Sequence, residues 1–158
     1  MNYLYFTLAT LIFTFFDLWL YPIFDKKDRL TFYRIIQTAF QAGIAFVLYQ
    51  FGIPTMLAFL LFWWFGGCDV LFYFIGDLMG REGYKFWNAN EWYWLAWTPV
   101  GIIQFIPNLI EQSEEYSFLS AWKRARGWVN LTSETVLAQA AVGLILAACS
   151  IAIQLIFQ

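Results

Sequence analysis

Apolar stretches of about 20 residues recur along the whole chain, and that is the length a helix needs to cross about 30 Å of hydrocarbon. Four are clear, at about 3–24, 35–52, 55–80 and 135–158. A fifth, at about 92–110, contains Pro99, Gly101 and Pro107, and prolines inside a spanning helix remove backbone donors that something else must replace. The expected fold is therefore an all-α integral membrane protein. It is a single domain over residues 1–158, a compact bundle of four transmembrane helices plus one broken or re-entrant segment, with five full spans as the alternative. Composition agrees: 13% of residues are charged against 61% hydrophobic, where a soluble domain carries about 25% charged residues.

The first apolar segment has no basic residue before it, is longer than the core of a signal peptide and contains Asp17, so it reads as a retained helix. Basic residues fall into three groups, around Lys26 to Arg34, at Arg81 and Lys85, and at Lys123 to Arg126. If 92–110 dips into the bilayer and returns, all three share one face, as the positive-inside rule prefers. Residues 111–128 mix acidic, basic and aromatic side chains, which suits a helix lying at the interface. The expected location is a plasma or inner membrane, crossed several times.

The net charge of −2 gives no basic surface for a phosphate backbone, so no nucleic-acid partner is expected. The chain has no histidine, which removes the commonest metal ligand and the usual haem ligand. Cys68 and Cys149 are isolated within apolar stretches and form no metal-ligand spacing. Neither a metal nor a cofactor is expected. The expected partners are membrane lipids and an apolar small molecule, and a homo-oligomer or a larger membrane complex would also fit.

Small residues four apart, at Ala39 and Gly43, Gly76 and Gly80, and Gly143 and Ala147, would let helix backbones approach closely. Tyr3, Thr7, Thr10, Thr14, Asp17 and Tyr21 form one stripe of the first segment, and Arg34, Gln37 and Gln41 form one on the second. Both stripes start from the same connecting loop, so a contact from Asp17 to Arg34 or Gln41 is expected.

The third segment holds Asp69 near its middle and Asp77 near its end. Read as one helix, it places Arg81 one turn beyond Asp77, as a structural ion pair requires. Asp69 has no such partner, and an acid within a membrane is by default a functional residue. Asp69 and Asp17 are thus the candidate catalytic residues. Trp63, Trp64, Tyr73 and Gln41, together with Glu91, Trp94 and Trp97 of the broken segment, are the candidate substrate-binding residues. The polar residues crowd toward one end of the bundle, which argues for a pocket rather than a pore.

An acid in apolar surroundings keeps its proton and can deliver it, and aromatic faces can stabilise the resulting cation. The residue set therefore fits a small membrane enzyme of the cyclase or isomerase type, acting on a lipid or isoprenoid by general-acid chemistry. The alternative is a non-enzymatic accessory subunit, or a lipid- or pigment-binding component of a larger complex.

Overall fold

The computed structural model describes residues 1–24, 30–88, 95, 97–127 and 129–156, with only the backbone described for 30, 31, 88, 115, 123, 126 and 127. Among these the chain is all-helical. Seven α-helices follow in order: α1 (Asn2–Phe24), α2 (Leu30–Tyr49), α3 (Ile53–Trp64), α4 (Gly67–Leu78), α5 (Pro99–Glu115), α6 (Phe118–Gly127) and α7 (Ser133–Ile156).

Among the described residues, α1 and α7 are long and apolar enough to cross a membrane, and the α3–α4 pair would make a third span if taken together. The outward face of α1 carries Leu4, Leu8, Ile12, Phe15 and Trp19, all exposed. Its inward face packs Phe6, Ala9 and Phe13 against Ala58, Phe59 and Phe62 of α3. Phe13 meets Phe59 edge-on, with ring centroids 5.9 Å apart, a favoured aromatic geometry. Helix α7 completes this core with Ala147 and Ile151. A Cβ at Gly143 would lie 2.6 Å from Cβ of Phe65, so the small residues at 143 and 147 do bring α7 against α3. Gly43 has nothing within 4 Å, and Ala39 is exposed, so that pair makes no such contact.

Three expectations change. The segment at 55–80 is not one helix: α3 and α4 meet at an angle of 68°. Gly66, the N-cap of α4, has φ +79°, a left-handed conformation that costs a residue with a Cβ about 1–2 kcal/mol. The sequence offers Gly66 and Gly67 together, and Gly67 touches the Phe62 ring so closely that no Cβ would fit. Asp69 consequently sits in the first turn of α4 rather than in the middle of a long helix.

The segment at 92–110 is helical only from Pro99, and Pro107 does not break it; residues 92–94 and 96 lie outside the described residues. Helix α5 begins at Pro99, where the missing N–H would have had no partner anyway, and runs through Pro107 to Glu115. Asn108 donates from its side chain to the Gln104 carbonyl at 2.7 Å, beside the bond that Pro107 cannot make. The stretch at 111–128 is divided between the end of α5 and α6, which pairs with α5 through the Phe105–Trp122 ring contact at 4.7 Å.

The third concerns Asp77 and Arg81. Helix α4 ends at Leu78, Gly80 turns the chain with φ +69°, and the Arg81 N–H closes back on the Gly76 carbonyl. Arg81 has therefore left the helix, and it donates to the Leu18 carbonyl at 2.7 Å instead of pairing with Asp77. Asp77 is exposed.

At the opposite end of the bundle Gln154 of α7 fastens the α2–α3 turn. It donates to the Phe51 carbonyl at 2.9 Å and accepts from the Thr55 hydroxyl at 3.0 Å.

Candidate functional site

The polar stripes of α1 and α2 meet in a buried hydrogen-bond network. On α1 the hydroxyls of Thr10 and Thr14 turn back to the carbonyls of Phe6 and Thr10, each at 2.9 Å, so they need nothing from another helix. Asp17, 6% exposed, reaches across instead. Its Oδ1 accepts from the Tyr33 hydroxyl at 2.5 Å and from Gln37 Nε2 at 3.0 Å. Gln37 uses its other side-chain atom, Oε1, to accept from Arg34 Nη1 at 2.9 Å. A chain of contacts thus runs from Asp17 through Gln37 to the Arg34 guanidinium. The expected direct contact from Asp17 to Arg34 or Gln41 is replaced by one through Tyr33 and Gln37.

Beyond this network lies a cavity of about 560 Å³, within the range of about 300–1,000 Å³ usual for small-molecule sites. Arg34, Gln37, Thr38 and Gln41 of α2 supply its polar lining, at the spacing that keeps them on one helix face. Asp69 joins them because the bend at Gly66 starts α4 here; it is partly exposed, and it lines the cavity. Arg34 lies close enough to act electrostatically on both Asp17 and Asp69.

The rest of the lining is apolar. Phe13 comes from α1, Trp63 from α3, Ile102, Phe105 and Ile106 from α5, and Trp122 from α6, with Trp97 from the connection before α5. Trp63 and Trp97 stack with centroids 4.4 Å apart and planes at 21°. Trp64 holds that connection in place by donating its indole N–H to the Trp97 carbonyl at 3.0 Å.

Of the residues expected to form a site, Asp69, Gln41, Trp63 and Trp97 come together around the cavity. Asp17 lies behind its polar wall, in contact with Gln37. Trp64 braces Trp97 from an exposed position, and Tyr73 packs in a separate aromatic group with Phe72, Tyr84 and Phe86. Glu91 and Trp94 lie outside the described residues. Arg34, Gln37, Thr38 and Trp122 are lining residues beyond those expected. The α2 stripe already signalled Arg34 and Gln37, whereas Trp122 had no signal, because only the return of α6 along α5 brings it to the cavity.

Among the described residues, two buried polar side chains have no hydrogen-bond partner. Gln41 is 7% exposed and faces the cavity. Gln139 of α7 is 4% exposed, neither of its side-chain atoms is satisfied, and its Nε2 lies against Gly66 at the helix break. Among the described residues no three Cys, Asp or Glu side chains converge to hold a metal ion. Compared with protein-family models, curated proteins and solved structures, the chain matches none.

Proposed function

We propose that the protein is a small membrane-embedded enzyme that isomerises or cyclises an apolar lipid or isoprenoid, with Asp69 as the proton donor. One observation carries the reading: a cavity of ligand size whose lining joins a carboxyl group to three indole rings, those of Trp63, Trp97 and Trp122. The proposed setting is a bilayer crossed by α1, α2, the bent α3–α4 pair and α7, with residues 26–34 and 123–126 on one face. The exposed apolar stripe of α1 supports it, because Leu4, Leu8, Ile12, Phe15 and Trp19 would cost free energy in water and none in lipid.

The chemistry needs no co-reactant. The Asp69 carboxylic acid transfers its proton to one carbon of a substrate double bond, and the π electron pair becomes the new C–H bond. Positive charge then develops on the other carbon, where indole faces stabilise a cation by about 0.5–2 kcal/mol each. The Asp69 carboxylate next removes a proton from a neighbouring carbon, that C–H pair becomes the new double bond, and the acid is restored. Attack on the cation by a second double bond before this last step gives a ring. General acids placed in this way contribute about 10²–10⁴-fold in rate.

Heavy water tests the reading directly, because a carboxyl group that exchanges with solvent delivers deuterium to carbon. The purified protein is incubated in D₂O with an isoprenoid and lipid extract, and the extract is analysed by mass spectrometry. One lipid class is expected to gain a carbon-bound deuterium per turnover. An extract with no enrichment in any class would overturn the enzymatic reading and favour a binding or accessory role for the same cavity.

A further inference from the structure

The α2 side of the cavity has a chemistry that an apolar tail does not use. We propose that it is a head-group subsite, and that the ligand is an amphiphile carrying an anion, phosphate or carboxylate, seated on Arg34 and Gln41. The inference rests on the cavity being a lipid-type site and adds the class of molecule that fills it.

Three features point to an anion. First, Arg34 is positioned by a built arrangement. Gln37 accepts from its Nη1 at 2.9 Å, and Gln37 is itself fixed because its Nε2 donates both to Asp17 Oδ1 and to the Tyr33 hydroxyl, each at 3.0 Å. Asp17, Tyr33 and Gln37 are all buried, so the guanidinium is held from behind by groups that do not face the ligand themselves, Gln37 excepted. Second, a guanidinium only donates hydrogen bonds and presents them in a fixed planar fork, which matches the oxygens of a phosphate or carboxylate. Third, Gln41 lies two turns along the same face, more than nine-tenths buried, with its amide unpartnered and aimed into the cavity. A ligand oxygen accepting from this amide gains a hydrogen bond in largely apolar surroundings, where such a bond is strong. Asp69, in the acid form that the proposed chemistry requires, offers a further O–H rather than a repelling charge.

The position of the subsite follows from the fold. The polar lining lies on α2 and at the start of α4, while the apolar lining comes from α1, α3, α5, α6 and the connection before α5. A ligand whose head reaches Arg34 therefore lays its tail against Phe105, Ile106 and the indoles. Asp69 is the part of the polar lining that α4 supplies, and a double bond near the head would meet it there.

Native mass spectrometry of the full chain in a neutral detergent tests this with dodecyl phosphate, dodecan-1-ol, dodecyltrimethylammonium and inorganic phosphate as probes. Dodecyl phosphate is expected to bind at least about tenfold tighter than dodecan-1-ol, the factor that one hydrogen bond to a charged group supplies. Inorganic phosphate alone is expected not to bind measurably. Arg34→Gln should erase the preference for the phosphate head and leave dodecan-1-ol binding as it was. Gln41→Leu, which leaves the Asp17 network intact, should reduce the preference several-fold and serves if Arg34→Gln does not fold. Equal binding of the phosphate and the alcohol, or a preference for the ammonium head, would overturn the anionic subsite while leaving the lipid-type cavity standing. Inorganic phosphate binding as tightly as dodecyl phosphate would overturn the amphiphile. Failure of every amphiphile to bind would overturn the cavity reading itself.

Discussion

Asp69→Asn is expected to abolish deuterium transfer to lipid, a loss of at least about 10²-fold, while the protein still inserts and purifies as before. Asparagine keeps the shape of the side chain but holds no transferable proton. The loss should therefore appear in turnover and not in binding of the amphiphile. Asp77→Asn is the matched control. Asp77 is exposed and Arg81 is engaged with the Leu18 carbonyl, so the change removes no contact within the described structure. Its stability should stay within about 0.5 kcal/mol of the parent and its activity should be retained. Full activity of Asp69→Asn on the lipid that gains deuterium would remove Asp69 from the chemistry.

Asp17→Leu should be the most destabilising single change in the polar network, by about 2–5 kcal/mol. Asp17 Oδ1 is the acceptor for two buried donors; without it the Tyr33 hydroxyl loses its acceptor and Gln37 Nε2 keeps only its bond to Tyr33, and each lost acceptor costs about 1–3 kcal/mol. Chemical or thermal unfolding in detergent measures the loss. Tyr33→Phe removes one donor and leaves Asp17 its bond from Gln37, so it should cost less than half as much. Asp17→Asn preserves an acceptor oxygen; by disturbing Gln37 it should weaken binding of the anionic amphiphile more than it lowers the rate once bound. Equal loss of rate and binding would show that Asp17 does more than position Arg34.

The helices were legible in the sequence because apolar length is a strong signal, and α1, α2 and α7 lie close to the expected segments. The bend within 55–80 was written there too, in the Gly66–Gly67 pair, but an apolar run on both sides of a glycine pair reads as one span. Hydropathy carries no information about φ. Two such angles set the positions of the acids: that of Gly66 puts Asp69 at the start of a helix facing the cavity, and that of Gly80 carries Arg81 away from Asp77. Pro99 marks a helix start, a position where helices accept proline, whereas Pro107 breaks nothing because the helix around it bridges the missing bond.

The candidate site was half legible, for a related reason. Trp63, Asp69 and Gln41 stood out as an indole, an acid and an amide in apolar segments, and Trp97 as part of an aromatic cluster. Tyr33, the partner of Asp17, precedes Gln37 by one turn on the same stripe, but a tyrosine near a helix end reads equally well as an interfacial side chain. Trp122 and Phe105 are long-range arrivals, brought to the cavity by the α5–α6 pairing, and no local pattern marks such residues.

The central claim is that the cavity bounded by α2, Asp69 and the indoles holds a lipid-type molecule, and filling it is the most direct test. Ile102 and Ile106 line it from α5, so Ile102→Trp or Ile106→Trp would occupy part of its roughly 560 Å³ without touching the polar network. Lipids extracted from the purified parent and from these variants are compared by mass spectrometry, per mole of protein and after identical detergent washes. An anionic amphiphile enriched in the parent and depleted in both variants, with unchanged unfolding temperatures, is the predicted result. The same lipid complement in parent and filled variants would contradict the claim.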